Sequence, residues 1–218
     1  MQGNNMEPLT REEARKLFDN YNEIKAMQHL YNAAIKEIRT KLEILNDEFQ
    51  VTQSRNPIHH IESRLKTTES MIKKLMNRGY PVSIDSAKKN LNDIAGIRVV
   101  CFYIDDVYSV EEALLRHSDL RLVDRTDYIK TPNYNGYRSL HLDLEVPIYL
   151  YEKTEYITAE VQIRSVAMDF WASLEHDLRY KSTGKIPPEL PAELLQCADE
   201  IAEIDRRMQG IYNRIKDV

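Results

Sequence analysis

Two stretches decide how this chain is read: Asn135-Gly136-Tyr137-Arg138-Ser139-Leu140-His141, and Tyr156-Ile157-Thr158-Ala159-Glu160-Val161-Gln162-Ile163-Arg164. In the second, Thr158, Glu160, Gln162 and Arg164 alternate with Ile157, Ala159, Val161 and Ile163. Alternate residues of a strand share a face. One face is therefore apolar and the other presents an acid, an amide and a base. Such a polar face is costly to bury, so a ligand or a metal covering it is the expectation. Just upstream, Leu140, Leu142, Leu144 and Val146 alternate with His141, Asp143 and Glu145, which predicts a second half-buried strand. The short connection around Glu152-Lys153 makes the two an antiparallel hairpin.

Working outward, Asn92-Asp93-Ile94-Ala95-Gly96-Ile97-Arg98-Val99-Val100 supplies another acid and base at the entry to an apolar strand running to Ile104. β-Branched and aromatic residues without polar alternation fit an interior strand. Leu120 to Tyr128 reads as one more strand, and Asp105 is placed to cap a short helix before it. Ile24, Met27, Tyr31, Ala34, Ile38, Leu42, Leu45 and Phe49 recur at three and four, the spacing of one helix face. A capping-box pattern, Thr10 and Glu13, precedes them. Asn56-Pro57 is expected to open a second helix ending near Gly79, and Asp85-Ser86 a short one. Phe170, Trp171, Leu174 and Leu178 lie on a further helix, and Pro187-Pro188 breaks the chain. Leu194, Ala198, Ile201, Ile204, Met208, Ile211 and Ile215 mark the last helix.

The architecture expected is α+β: a mixed, largely antiparallel sheet of four or five strands with helices on one side. It is read as a single domain over residues 1–218. A helical extension takes residues 8–50, the core 56–181 and a C-terminal helix 189–217. The stripes of the terminal helices are expected to be partly exposed in a monomer, and stripes of that kind mark a partner. A homo-oligomer is therefore expected.

The 218 residues carry a formal charge of −5 with 30% charged residues. That argues against a general nucleic-acid binder, so RNA binding is not expected. No apolar run is long enough to span a bilayer, and the first residues lack the features of a signal peptide. The expectation is a cytoplasmic protein. Cys101 reads as a buried inert thiol and Cys197 as a helical one, with no metal spacing between them.

Asp93, ahead of the central strand, is placed to meet Glu160 across the sheet. Two carboxylates from separate strands suit Mg²⁺, which takes oxygen ligands and keeps water and phosphate. The other meaning of the pair is a salt bridge of Asp93 or Glu160 with Arg98 or Arg164. On the helix expected after Pro57, Lys66, Ser70 and Lys74 fall within a narrow arc, with Arg64 at its edge. That stripe suits a triphosphate or is a solvated basic face. Arg98 interrupts an apolar strand and is read as reaching a ligand from a strand end. Tyr137 follows Gly136 and suits stacking on a nucleobase, or packs at the sheet edge. None of the six glycines builds a Walker A loop or a dinucleotide-binding turn. His59-His60 and His176-Asp177 complete no metal set.

Three ordered motifs then bring in a family. The Asn92–Arg98, Asn135–His141 and Glu160–Arg164 runs, extended by Trp171-Ala172-Ser173-Leu174-Glu175-His176, resemble the synthetase domain of Rel/Spo-type enzymes. The likeness spans about Asn56 to Lys181. The flanking helices resemble those of small alarmone synthetases, the RelP-like branch above all. The resemblance implies a nucleotidyltransferase-like fold and a (p)ppGpp synthetase. Such an enzyme moves the β,γ-pyrophosphate of ATP to the 3′-hydroxyl of GTP or GDP and releases AMP. It implies Asp93 and Glu160 as Mg²⁺ ligands, Glu160 also taking the hydroxyl proton. Arg64, Lys66, Ser70, Lys74 and Arg98 fall on the ATP side. Tyr137, His141 and Gln162 fall on the guanosine side, and relatives of this kind form homotetramers. Lysines common in the family are replaced here by Thr126 and Asn133. Arg125 and Lys130 lie close enough in sequence to be expected as substitutes. The hydrolase domain of the long members is absent, so synthesis without hydrolysis is expected.

Overall fold

The structure is a computed structural model describing residues 11–181 and 190–216; the Thr10 cap and the Pro187-Pro188 break lie outside the described residues. Its elements are α1 (Arg11–Thr52), β1 (Ile58–Leu65), α2 (Thr68–Asn77), α3 (Ile84–Asn90), β2 (Ala95–Cys101) and α4 (Ile104–Leu115). There follow β3 (Arg121–Asp127), β4 (Leu140–Tyr149), β5 (Thr154–Ser165), α5 (Val166–Lys181) and α6 (Leu190–Lys216). One five-stranded sheet has the order β1-β2-β5-β4-β3. Only β2 and β5 run parallel; the other neighbours are antiparallel. No described helix is long and apolar enough to cross a membrane.

The β4–β5 hairpin pairs as the alternation requires, with His141 opposite Gln162 and Asp143 opposite Glu160. Leu140, Leu142, Leu144, Ala159, Val161 and Ile163 are fully buried on its apolar face. α1 and α4 both pack on the sheet, and Ala34, Ile38, Leu42, Val107, Val110 and Leu114 are closed off from solvent with it. Apolar burial of this extent is the main stabilising term.

Four expectations need correction. The helix expected from Pro57 is instead strand β1, paired antiparallel with β2. Unpaired, β2 would leave one row of backbone donors and acceptors open, and this pairing outweighs local helical preference. Asn56 still ends a segment, because its Oδ1 accepts from the Ile58 N–H. Helix α2 begins only after Thr67, whose hydroxyl accepts from the Ser70 N–H. Arg64 and Lys66 therefore do not share a helix with Ser70 and Lys74.

The α1 stripe is not exposed. Met27, Tyr31, Ala34, Ile38, Leu42, Leu45 and Phe49 are all buried, so α1 is a layer of the chain's own core. On α6 the expected exposure is present: Ile204, Met208, Ile211 and Ile215 face outward, while Ala198, Ala202, Asp205 and Gln209 are buried. Finally, α4 is capped by Asp106 rather than Asp105, its carboxylate accepting from the Tyr103 N–H.

Candidate active site

The polar face of the sheet carries a closed cycle of hydrogen bonds around Glu160. Gln162 Nε2 donates to Glu160 Oε2 at 2.6 Å. His141 Nδ1 lies 3.4 Å from Glu160 Oε1, and its Nε2 meets the Tyr137 hydroxyl at 2.8 Å. Arg164 Nη2 donates both to Tyr137 at 2.9 Å and to Gln162 Oε1 at 2.5 Å. With His141 assigned as the Nδ1–H tautomer, every donor points one way. Two arms leave Arg164, one through Tyr137 and His141 and one through Gln162, and end on the two oxygens of Glu160. Burial opposes the charge on Glu160, yet the hydrogen bonds from His141 and Gln162 hold its carboxyl below the usual range, with the Asp93 charge working against them. A carboxylate kept ionised this way is suited to accept a proton or a cation.

Asp93 sits in the turn between α3 and β2. That turn is tied down by the Lys66 N–H donating to the Ile94 carbonyl. Lys66 and Lys74 both donate to Asp93 Oδ2 at 2.7 Å. Burial pushes the Asp93 carboxyl up, but the two ammonium groups outweigh it and leave it below its ordinary value. Its Oδ1 is buried with no hydrogen-bond partner. The salt bridge weighed for Asp93 thus exists, with these lysines rather than with Arg98 or Arg164. Asp93 and Glu160 line one cleft, together with Arg64, Gly96, Arg98 and Gln162. Gly96 pairs with Arg64 on one side and Glu160 on the other, so the floor between the base and the acid has no side chain.

The cationic set converges although its members come from different elements. Arg64 is on β1, Lys66 follows it, and Ser70 and Lys74 are on α2. Ser70 Oγ accepts from Thr67 Oγ1 at 2.8 Å. Arg98 lies 3.4 Å from Glu62 and 3.5 Å from Asp169, and its Nε is buried and unpartnered.

On the other side, Tyr137 follows a turn in which the Gly136 N–H donates to the Asn133 carbonyl at 2.8 Å. Gly136 has φ +86°, a conformation glycine adopts freely. Tyr128, Tyr137 and His141 stack edge to face.

Arg125 does not join this site. It lies opposite Leu142, on the core side of β3, whereas Thr126 lies opposite His141. Its guanidinium is held by the nearly buried Glu111 of α4 at 2.5 and 3.0 Å and lies 3.4 Å from Asp127. Lys130 is exposed, 3.8 Å from Asp127 and over the Tyr108 ring. Arg125 is thus turned from the cleft, while Asn133 serves the turn that presents Tyr137. Arg164 was not among the residues expected to act at the site. Its place at the end of an alternating strand was the available signal, but burial to 2% exposure is a tertiary fact.

The two acids fit a divalent cation. Asp93 has a buried oxygen without a hydrogen-bond partner, and its charge opposes that of Glu160. Among the described residues no three His, Cys, Asp or Glu side chains form a metal set, so two carboxylates would share Mg²⁺ with phosphate and water.

Residues 63–185 match the region found in RelA/SpoT proteins. The chain belongs to this family. A Bacillus subtilis relative, named GTP pyrophosphokinase YwaC, is 43% identical over 186 residues, covering 85% of this chain and 89% of its own. The small alarmone synthetase 1 of B. subtilis bound to its product pppGpp superposes with a TM-score of 0.83 at 30% identity, covering 88% of this chain and 98% of that one. The same protein bound to AMPCPP gives a TM-score of 0.76 at 26% identity, covering 90% and 99%. The nucleotidyltransferase-like α+β fold expected from the motifs is thereby established.

Proposed function

We infer that the chain is a GTP pyrophosphokinase that makes (p)ppGpp: it transfers the β,γ-pyrophosphate of ATP to the 3′-hydroxyl of GTP or GDP. The observation that carries this reading is the meeting of Asp93 and Glu160 in one cleft, flanked by the cationic set and by Tyr137. Relatives solved with pppGpp and with AMPCPP support nucleotides as both product and donor.

Arg64, Lys66, Ser70, Lys74 and Arg98 take the donor triphosphate. Lys66 and Lys74, spent on Asp93 without substrate, are then shared with phosphate oxygens. Tyr137 stacks on guanine, with His141 and Gln162 beside it. Glu160 accepts the proton of the 3′-hydroxyl as its oxygen attacks the β-phosphorus. The bond between the α,β-bridging oxygen and the β-phosphorus breaks, and AMP leaves with that oxygen. Asp93 and Glu160 would hold Mg²⁺, which when bound offsets negative charge on the phosphates. Catalysis of this type is chiefly positioning and charge stabilisation.

A homotetramer in the cytoplasm completes the proposal. Phe170, Leu174 and Leu178 on α5, with Ile204, Met208 and Ile211 on α6, are exposed and provide the apolar surface such an assembly buries. Incubation with labelled ATP, GTP and Mg²⁺ tests the activity. Pentaphosphate product with stoichiometric AMP is expected, and no breakdown of added pppGpp. Nucleotide binding without product would instead identify a sensor.

A further inference from the structure

Arg138 belongs to the motif that carries Tyr137, yet the proposed reaction gives it no task. It points away from the nucleotide cleft and joins the acceptor loop to α6. One guanidinium nitrogen, Nη1, donates to the Gly136 carbonyl at 3.0 Å and to the Ala198 carbonyl at 3.2 Å. Nη2 donates to Asp199 at 2.9 Å. The Arg138 side chain is 14% exposed and that of Asp199 63%. A Cβ added at Gly136 would stand 2.5 Å from Ala198 Cβ, so loop and helix are in direct contact where the chain turns toward Tyr137.

A second tie repeats the pattern. Ser165, the residue after Arg164, is fully buried; its hydroxyl donates to Asp205 of α6 and accepts from the Met168 N–H at the start of α5. Thus α6 grips Arg138, which follows Tyr137, and Ser165, which follows Arg164, and Arg164 donates to the Tyr137 hydroxyl in the cleft. Two of the four buried residues on the inner face of α6, Asp205 and Gln209, are polar. Each is used on a named partner in the body, Ser165 and the Asp105 N–H. Hydrogen bonds of this kind fix orientation where apolar contact allows sliding.

We infer that α6 is a positioning element for the guanosine subsite, acting through Arg138–Asp199 on Tyr137 and through Ser165–Asp205 on Arg164. The inference rests on the proposed function for the identity of that subsite. Among the described residues no donor cation bonds to α6: Arg64 lies on β1, Lys66 just after it, Lys74 on α2 and Arg98 on β2, in contact with Asp169 of α5, so the Arg138–Asp199 tie bears on the guanosine side.

The test is a KM split. Arg138→Gln removes the charge-assisted bonds and is expected to raise the KM for GDP and GTP about tenfold. The KM for ATP should stay within about twofold, since no donor residue loses a bond. Asp199→Ala, at an exposed position that does not endanger folding, should shift the same constant in the same direction, and Asp199→Glu should restore it. A fluorescent GDP analogue and a fluorescent ATP analogue, titrated separately, give the same split without turnover. Equal changes for both nucleotides, or none for either, in variants of an active wild type would overturn the inference alone. A wild type that binds neither nucleotide would overturn the proposed function as well.

Discussion

Asp143 lies directly across the β4–β5 ladder from Glu160. Asp124 continues the row on β3. Burial raises the Asp143 carboxyl above its usual range, and the Glu160 and Asp124 charges add to this against the hydrogen bond from Asn92. A carboxyl with a raised folded pKa contributes stability below its unfolded pKa and loses it as pH rises through the folded value. Asp143→Asn should therefore stabilise the protein at pH 7, by less than about 1 kcal/mol for a like-charge cross-strand pair. The advantage should fade below the carboxylate range. Urea denaturation at the two pH values measures it; an unchanged midpoint at pH 7 would contradict the assignment.

Asp93 has the opposite sign. Its folded carboxyl is lowered by Lys66 and Lys74 in spite of burial, so its contribution is present above the unfolded pKa and disappears as pH falls through the folded one. Asp93→Asn should cost about 1–3 kcal/mol at pH 7, and less in acid. Turnover should drop at least about a hundredfold, the scale of losing one preorganised charged group. Metal-free ATP should bind more tightly than to wild type, because both lysines are released from their counter-ion. Titration of a fluorescent ATP analogue in EDTA decides this, and weaker binding would show that the lysines do not face the donor.

Glu160 is held ionised by His141 and Gln162 against burial. Glu160→Gln should keep the fold with a lower unfolding midpoint at pH 7, since a stabilised carboxylate is lost and one of its two donors then faces an amide nitrogen, and should abolish product formation. In wild type, the acid limb of the pH–rate profile belonging to this group should lie below the ordinary glutamate range, since the base form persists to lower pH. Near-normal turnover in the variant would remove Glu160 from the reaction.

Arg125 tests what the strand faces mean. Paired with Glu111 and turned to the core side of β3, it should matter for stability rather than for substrate. Arg125→Gln leaves Glu111, 9% exposed, without its cation, at a cost of about 1–3 kcal/mol. The KM for GDP should not move. Thr126→Lys, opposite His141, places a cation on the site face and should lower the KM for GTP. If the Arg125 variant alone raised the acceptor KM, the facing of β3 would be misassigned.

These cases also show where local sequence carries the structure and where it does not. Glu160, Gln162, His141 and Asp143 were legible because a period of two fixes a face whatever lies beyond it. Arg125 and Thr126 are adjacent, so only the register of β3 against β4 says which one reaches the cleft. The strand from Ile58 to Leu65 was hidden for a related reason: its identity depends on β2 needing a partner. Lys66 and Lys74 still met at Asp93, because the β1–α2 turn brings together what a continuous helix was expected to align. The burial of the α1 stripe had no local signal, since a face at helical spacing is equally suited to a sheet or to a second subunit.

Tyr137 separates stacking from hydrogen bonding. In the proposed function its ring stacks on guanine, while its hydroxyl joins the nearly buried Arg164 to His141. Tyr137→Phe keeps the ring and deletes the hydroxyl. It should leave the KM for GDP almost unchanged, yet destabilise the fold by about 1–3 kcal/mol because a buried cation loses an acceptor. Tyr137→Ala should also weaken guanosine nucleotides by about 1–3 kcal/mol, the worth of one stacked base, with ATP little affected. The two variants compared by thermal unfolding and by steady-state kinetics resolve the roles. Equal losses toward GDP and ATP in the alanine variant would place the ring outside the acceptor subsite.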